Sequence, residues 1–172
     1  MNSNHPTIEQ LYQKFGEQCA RSENHAAGMQ VVIIPKSRLL DVMRFLHDDG
    51  ACAYEQLTDV VGIDYLGYPQ ARKRFALVYP LISVIYNRRL IVKVYLAEDD
   101  LTVPSLSGIY RGAEWPEREA AEMFGFVFTE HPDLRRLLLC DLFKGKHPLR
   151  KDYPLRGQGE RDNFRIVTRK TV

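Results

Sequence analysis

The densest group of ionisable side chains in the 172-residue chain is Glu117-Arg118-Glu119 with Glu122. Two carboxylates can share acid–base work when burial or a neighbouring charge separates their pKa values. Neighbours in sequence on a helix point in different directions, however, and Arg118 stands four residues from both Glu114 and Glu122, so it is placed to pair with either. The group reads as a structural or interface ion-pair cluster. His131, Cys140 and His147 could suggest a metal site, but their intervals of nine and seven positions match no common ligand spacing. Each histidine precedes a proline and reads as a turn residue. No nucleotide-binding glycine motif occurs, and Gly157-Gln158-Gly159 is a turn signal. The basic pairs Arg135-Arg136 and Arg150-Lys151 could touch phosphate, yet Asp133, Asp141 and Asp152 are interleaved with them. The nearby aromatics Phe143, Tyr153 and Phe164 are too scattered for a stacking platform. Arginines in such a setting suit protein docking, where the guanidinium fork pairs with carboxylates.

The elements that must position these residues follow from patterning. Thr7-Ile8-Glu9-Gln10 has the form of a capping box, and Ile8, Leu11, Tyr12, Phe15 and Cys19 fall at helical spacing. Residues 22–28 read as polar linker. Met29 to Ile34 reads as a buried strand ended by Pro35, and Ser37 as the cap of a helix with Leu39, Val42, Met43 and Leu46 on one face, stopped by Gly50. Residues 54–65 read as one strand. Residues 74–86 and 90–96 form a hairpin through Asn87-Arg88-Arg89 after a turn at Gly67-Tyr68-Pro69. Pro80 deletes a ladder donor, which places its strand at an edge or at a bulge. Residues 105–110 read as one or two helical turns. Pro116 opens a last helix, with Glu117 and Glu119 in its first turn, and Gly125 ends it.

The expected fold is therefore α+β: a small mixed or antiparallel sheet with helices packed on one face, over residues 1–130, followed by an extended C-terminal arm over 131–172. The arm lacks the apolar residues for a core of its own. The charge follows the same division. Residues 1–130 carry 13 Lys+Arg and 17 Asp+Glu, a net of −4, and residues 131–172 carry 11 and 5, a net of +6. Together they give the near-neutral +2 of the whole chain. Three scattered cysteines, Cys19, Cys52 and Cys140, argue against a disulfide framework and fit a reducing compartment. The start of the chain has no signal-peptide pattern, and its longest uncharged run is too short for a membrane helix.

Three motifs in order make the sequence specific. They are 117–125 (Glu-Arg-Glu-Ala-Ala-Glu-Met-Phe-Gly), 131–138 (His-Pro-Asp-Leu-Arg-Arg-Leu-Leu) and 147–154 (His-Pro-Leu-Arg-Lys-Asp-Tyr-Pro). With the earlier run Leu57 to Gly67, Arg74-Phe75, Glu98-Asp99-Asp100 and Val103-Pro104-Ser105, they resemble the 30-kilodalton subunit family of respiratory complex I, the C subunit of the bacterial NADH:quinone oxidoreductase. The resemblance covers residues 54–156. It departs at Glu130, where Gly is common, and at Lys146, which separates Gly145 from His147.

The resemblance implies a non-catalytic subunit in the quinone module of the peripheral arm of a proton-translocating NADH dehydrogenase of the respiratory chain. It implies no cofactor in this chain, the FMN, iron–sulfur clusters and quinone (ubiquinone) belonging to partner subunits. The implied partners are the 49-kilodalton (D) subunit and other peripheral-arm subunits, with no nucleic acid. The implied location is the cytoplasmic face of the bacterial inner membrane, held there indirectly through the complex. A chain ending at Val172 would be the form unfused to the D subunit. Under this reading Glu117, Arg118, Glu119, His131, Pro132, Arg135, Arg136, His147, Pro148, Leu149, Arg150, Lys151 and Asp152 are interface and packing residues. The alternatives are the equivalent subunit of an energy-converting hydrogenase or of a ferredoxin- or F420-dependent complex, and, from other classes, a free-standing RNA-binding module or a soluble enzyme.

Overall fold

A computed structural model describes residues 6–16, 21–24 and 29–160, with backbone only at 21–24. Helix α1 spans Pro6–Phe15. It begins one residue before the expected cap, and Thr7 is buried inside it, its Oγ1 3.1 Å from Tyr54 Oη. The expected extension of this face to Cys19 lies outside the described residues. Strand β1 (Arg21–Asn24) pairs antiparallel with β2 (Gln30–Ile34), where linker was expected. Its polar residues carry no strand pattern, because an outer strand needs only its backbone to extend the ladder. Helix α2 (Leu39–Asp48) follows a 3-10 turn at Lys36–Arg38, so Ser37 lies before the helix and does not cap it. Leu39, Val42, Met43 and Leu46 form its fully buried stripe. The helix ends on an extended Asp49, and the left-handed residue of the following turn is Ala53, φ 44°, in place of Gly50.

The expected single strand at 54–65 is two, β3 (Gln56–Leu57) and β4 (Val61–Asp64), both antiparallel to β5 (Phe75–Ser83). Pro80 explains the division. Strand β5 is internal, paired with β6 (Arg88–Leu96) along its other side, and Pro80 falls between Leu81, where β3 ends, and Val78, where β4 begins. The missing donor is accommodated by a break in the neighbour, with the Pro80 carbonyl accepting from Thr58 N–H at 2.9 Å. The β5–β6 hairpin turns through Asn87, φ 48°, a residue type that tolerates this region.

The mixed sheet runs β1-β2-β6-β5-β3, with β4 beside β3 on β5, and β2 lies parallel to β6. On one face Leu90, Val92, Val94 and Leu96 meet Phe75, Leu77, Tyr79 and Leu81 in a core shared with α1, α2 and helix α3 (Glu114–Phe124). Helix α3 starts two residues before the expected position, which puts Pro116 within the first turn, where no backbone N–H has a helical partner to lose. Residues 105–110 form a single turn, with Tyr110 N–H on Leu106 C=O at 2.8 Å. Strands β7 (Thr102–Pro104) and β8 (Val127–Thr129) add a parallel pair that the sequence pattern does not announce, being three residues each.

Gly62 fixes how closely α3 approaches β4. A Cβ there would stand 2.5 Å from Phe124 Cδ2 and 2.9 Å from Phe126 Cε2, both on buried rings. Rigid aromatic rings at that distance cannot yield cheaply, so Gly62→Ala is expected to lose about 1–3 kcal/mol through overpacking. Urea unfolding followed by circular dichroism should show a lower midpoint with an unchanged slope.

Candidate functional site

Beyond β8 the described residues 131–160 form no strand or α-helix, only a 3-10 turn at Asp141–Phe143, so their peptide groups need partners from elsewhere. Helix α3 supplies them. The Glu122 carboxylate accepts three successive backbone N–H groups, from Leu137 at 3.1 Å, Leu138 at 2.8 Å and Leu139 at 2.9 Å. One turn earlier, Arg118 donates Nε to the Arg135 carbonyl at 2.8 Å and Nη2 to the Arg136 carbonyl at 3.1 Å. An i, i+4 pair on one helix face thus holds both polarities of the peptide stretch 135–139. The expected Arg118 pairing with Glu114 or Glu122 is not what forms. Glu122 is occupied by the arm's N–H groups, and Arg118 has only a longer approach to a carboxylate, Asp133 at 3.8 Å.

The arm returns the service. The last carbonyls of a helix lack helical partners, and three of those in α3 are met by residues 147–150. His147 Nδ1–H donates to Glu122 C=O at 2.9 Å, Leu149 N–H to Met123 C=O at 3.2 Å, and Arg150 Nε to Phe124 C=O at 2.6 Å. Cationic Arg150 also suits the negative end of the helix dipole. Gly125 ends α3 with φ 83°, and a Cβ there would stand 2.5 Å from Arg150 Nη2 and 2.7 Å from His147 Nε2. Glycine is required twice at this position, for its backbone and for its lack of bulk. Past this point Lys151 donates its backbone N–H to Asp64 Oδ2 at 2.9 Å, and Asp152 pairs with Arg74 at 2.8 Å. Arg74 also holds Asp64 at 3.2 Å and pairs with Glu98. Burial pushes the Asp64 carboxyl up, but Arg74 and the N–H groups of Lys151 and Leu66 outweigh it and hold it below the usual carboxylate range.

Glu117 turns the other way, into the core. It accepts Ser105 Oγ–H at 2.6 Å and Leu106 N–H at 2.7 Å, anchoring the turn after β7. His131, with its side chain wholly buried, donates Nε2–H to Glu114 C=O at 3.0 Å and accepts Asp133 N–H on Nδ1 at 3.0 Å. Both histidines therefore do more than turn the chain: each ties the arm to an α3 carbonyl.

The other expected residues lie further out. Glu119 is exposed beside a cleft of about 140 Å³ that Leu149 borders, and Pro132 is exposed while Pro148 is half-buried. Arg135 is exposed and clasps Asp133, and Arg136 donates to Cys140 C=O at 2.7 Å. Asp64 and Arg74, which do as much as any of these, are not among the site residues the sequence points to, and Glu122 is singled out there only as a member of an ion-pair cluster. Their signal lies in their membership of the family motifs, because a charged residue that grips backbone leaves no pairwise pattern in sequence.

These contacts define a class of fold: a small α+β domain with an ordered extension strapped along its last helix. The chain belongs to the respiratory-chain NADH dehydrogenase 30-kilodalton subunit family, whose profile matches residues 32–159. It is 48% identical over 134 residues to the NADH-quinone oxidoreductase C subunit of Brucella ovis, covering 78% of this chain and 64% of that protein. It thus spans just under two thirds of the length of such relatives. Among solved structures, the trypsin-resistant fragment (1–134) of Nqo5 matches with a TM-score of 0.66 and 33% identity, over 74% of this chain and 98% of that one. A chain of the membrane-bound sulfane sulfur reductase, an archaeal respiratory membrane complex, shares the fold at a TM-score of 0.74 and 21% identity, over 97% of this chain and 98% of that one. Among the described residues no helix is long and apolar enough to cross a membrane.

Two substitutions test the site. Glu122→Gln leaves one acceptor and places an N–H2 against N–H donors, at a cost of about 1–3 kcal/mol for an unmet buried group. Limited trypsin digestion should cut after Arg135 and Arg136 faster than in wild type, while Glu119→Gln digests normally. For Glu117, burial raises the carboxyl above its usual range, opposed by Ser105 and Leu106. The folded state then holds this proton more tightly than the unfolded one, so ionisation lowers stability as pH rises through the folded pKa. Glu117→Gln keeps both hydrogen-bond positions without the charge. Its melting temperature relative to wild type is expected to be higher at pH 8 than at pH 4.5.

Proposed function

We propose that this chain is the non-catalytic C subunit of a proton-translocating NADH:quinone oxidoreductase, residues 1–130 forming its core and 131–172 an arm that docks onto the 49-kilodalton (D) subunit. The observation that carries the reading is the arm's outward row of leucines. The peptide groups of residues 135–139 and the side chains of His147 and Arg150 are spent on α3, while Leu134, Leu138, Leu142 and Leu149 are each at least 40% exposed. A surface segment whose backbone is satisfied internally and which presents leucines outward suits a partner's apolar surface. Arg136 and Arg150 of the arm are spent on carbonyls, which tells against an RNA-binding arm, whose arginines must reach phosphate. In this role the chain binds no cofactor, FMN, iron–sulfur clusters and quinone being held by other subunits. It reaches the cytoplasmic face of the inner membrane only through them. A second reading, the equivalent subunit of a ferredoxin-, F420- or hydrogenase-type membrane complex, is favoured by the shared fold of the archaeal respiratory complex chain.

Purification of the tagged full chain from solubilised membranes should bring down the D subunit with NADH:quinone oxidoreductase activity. Partners with nickel-binding cysteines would favour the second reading, and salt-sensitive RNA without membrane partners would defeat both. Arg118→Ala, which frees two arm carbonyls, is expected to reduce the intact complex on native gels several-fold. Wild-type amounts would refute the role given to the arm.

A further inference from the structure

The sheet has a face that the core does not use. Alternation along β6 sends Leu90, Val92, Val94 and Leu96 inward, each no more than 1% exposed, and turns Arg89, Ile91, Lys93 and Tyr95 to the opposite side. Beside them in register stand Ile82, Pro80, Val78 and Ala76 of β5, and on the other flank Val31 and Ile33 of β2. Val31, Ile33 and Ala76 are buried, yet the hydrophobic core that gathers the three helices contains none of them, and Ile82, Val78 and Ile91 are half-buried. The face is apolar and only partly covered.

Its charge is predominantly positive. Residues 1–130 are net −4, but on β2 to β6 this face carries Arg89 and Lys93 and no carboxylate, and in register beside it on β1 stand Arg21 and Glu23, so that cations exceed carboxylates three to one. Lys93 Nζ donates to Tyr65 Oη at 2.6 Å and lies 5.0 and 4.8 Å from the ring centres of Tyr65 and Tyr95, while Arg72 stands 5.6 Å over Tyr95. An ammonium has three donors, and the two tyrosine hydroxyls beside Lys93 engage at most two of them, which leaves one for an anion. Tyrosine and arginine around an apolar floor is the composition of interface hot spots, and an excess of cations selects a partner of opposite sign.

We propose that this face is a second docking surface, distinct from the arm, and that its occupant is an acidic segment of a partner subunit. Apolar side chains of that segment would lie over Val78, Ile82 and Ile91, with carboxylates on Arg89 and Lys93. The inference rests on the proposed function, that the chain works within a complex, and goes beyond it in assigning a surface and the chemistry of what covers it.

The test uses the complex purified through the tagged full chain. A water-soluble carbodiimide joins lysine amines to carboxylates as amides with loss of water, so an Arg89→Lys chain offers two amines on this face. Mass spectrometry is expected to find either amine joined to Asp or Glu of another subunit. In a Cys19→Ser/Cys140→Ser background, Ile82→Cys should react with a maleimide at least ten-fold more slowly in the complex than in the isolated full chain. Equal labelling rates in a complex that still co-purifies would overturn this inference and leave the proposed function standing. Protection without any intersubunit amide would overturn the acidic occupant. Amides only to carboxylates of this chain, such as Glu23 of the neighbouring strand or Asp162, also overturn it. A chain that co-purifies with no partner would overturn both readings together.

Discussion

The arrangement of α3 and the arm rests on a problem that irregular backbone always poses: every peptide N–H and C=O withdrawn from water must find a partner. The arm from His131 to Asp152 has almost no secondary structure to supply one, and the last turn of α3 has carbonyls that no helix can satisfy. Each solves the other's deficit. Glu122 and Arg118 take up the peptide groups of residues 135–139, and the arm's His147, Leu149 and Arg150 take up the carbonyls of residues 122–124. Neither partner is optional, because removing one leaves the other's group buried and unmet, which costs more than the bond was worth. The positions of Gly62 and Gly125 follow from the same constraint. The first lets α3 lie against the sheet, and the second lets His147 and Arg150 reach the helix end.

The arm is then tied to the sheet by a different kind of contact. Arg74 connects Asp64, Glu98 and Asp152, and Asp64 also receives the Lys151 N–H. Because Asp64 is nearly inaccessible and its carboxyl is held below the usual range, it contributes stability that is present above the ordinary carboxylate pKa and disappears as pH falls through the lowered value. Glu117 has the opposite sign, since burial raises it. One buried carboxylate therefore favours the folded state at neutral pH while another, on the same helix as Glu122, works against it. What distinguishes them is the guanidinium beside Asp64, since both accept backbone N–H bonds.

How much of this was legible depended on the kind of signal. Buried stripes and alternating strands were readable: the α2 stripe and the hairpin of β5 and β6 follow directly from apolar periodicity. Strand β1 and the short pair β7 and β8 were not, because pairing that depends on backbone alone leaves no side-chain pattern. Pro80 reads as an edge marker in sequence. It sits instead in an internal strand whose neighbour is broken opposite it, a solution that requires knowing the partner. The charged motifs were located by family resemblance, but their roles differ wherever side chains were expected to pair with side chains. Arg118 pairs with neither Glu114 nor Glu122 but with backbone carbonyls. One departure from the family gains a physical meaning: Glu130, where Gly is common, has φ 60°. That is the left-handed region in which a side chain costs and glycine does not.

The division of charge into −4 for residues 1–130 and +6 for the remainder invites a picture of two oppositely charged bodies held by long-range attraction. The contacts describe something else. The cations of the arm and of α3 that matter most, Arg118, Arg136, His147 and Arg150, end on backbone carbonyls, and the key anion, Glu122, ends on backbone N–H groups. Charge is being used for the strength and directionality of charge-assisted hydrogen bonds, at short range and with little water, where added salt screens weakly. Apart from the Arg74 cluster and Lys146 with Glu160, pairs between carboxylates and cations lie mainly at the surface, as between Arg135 and Asp133, where they are worth little. Net charge thus indicates where the arm begins but does not describe what holds it, and it does not register the arm's outward-facing leucines at all.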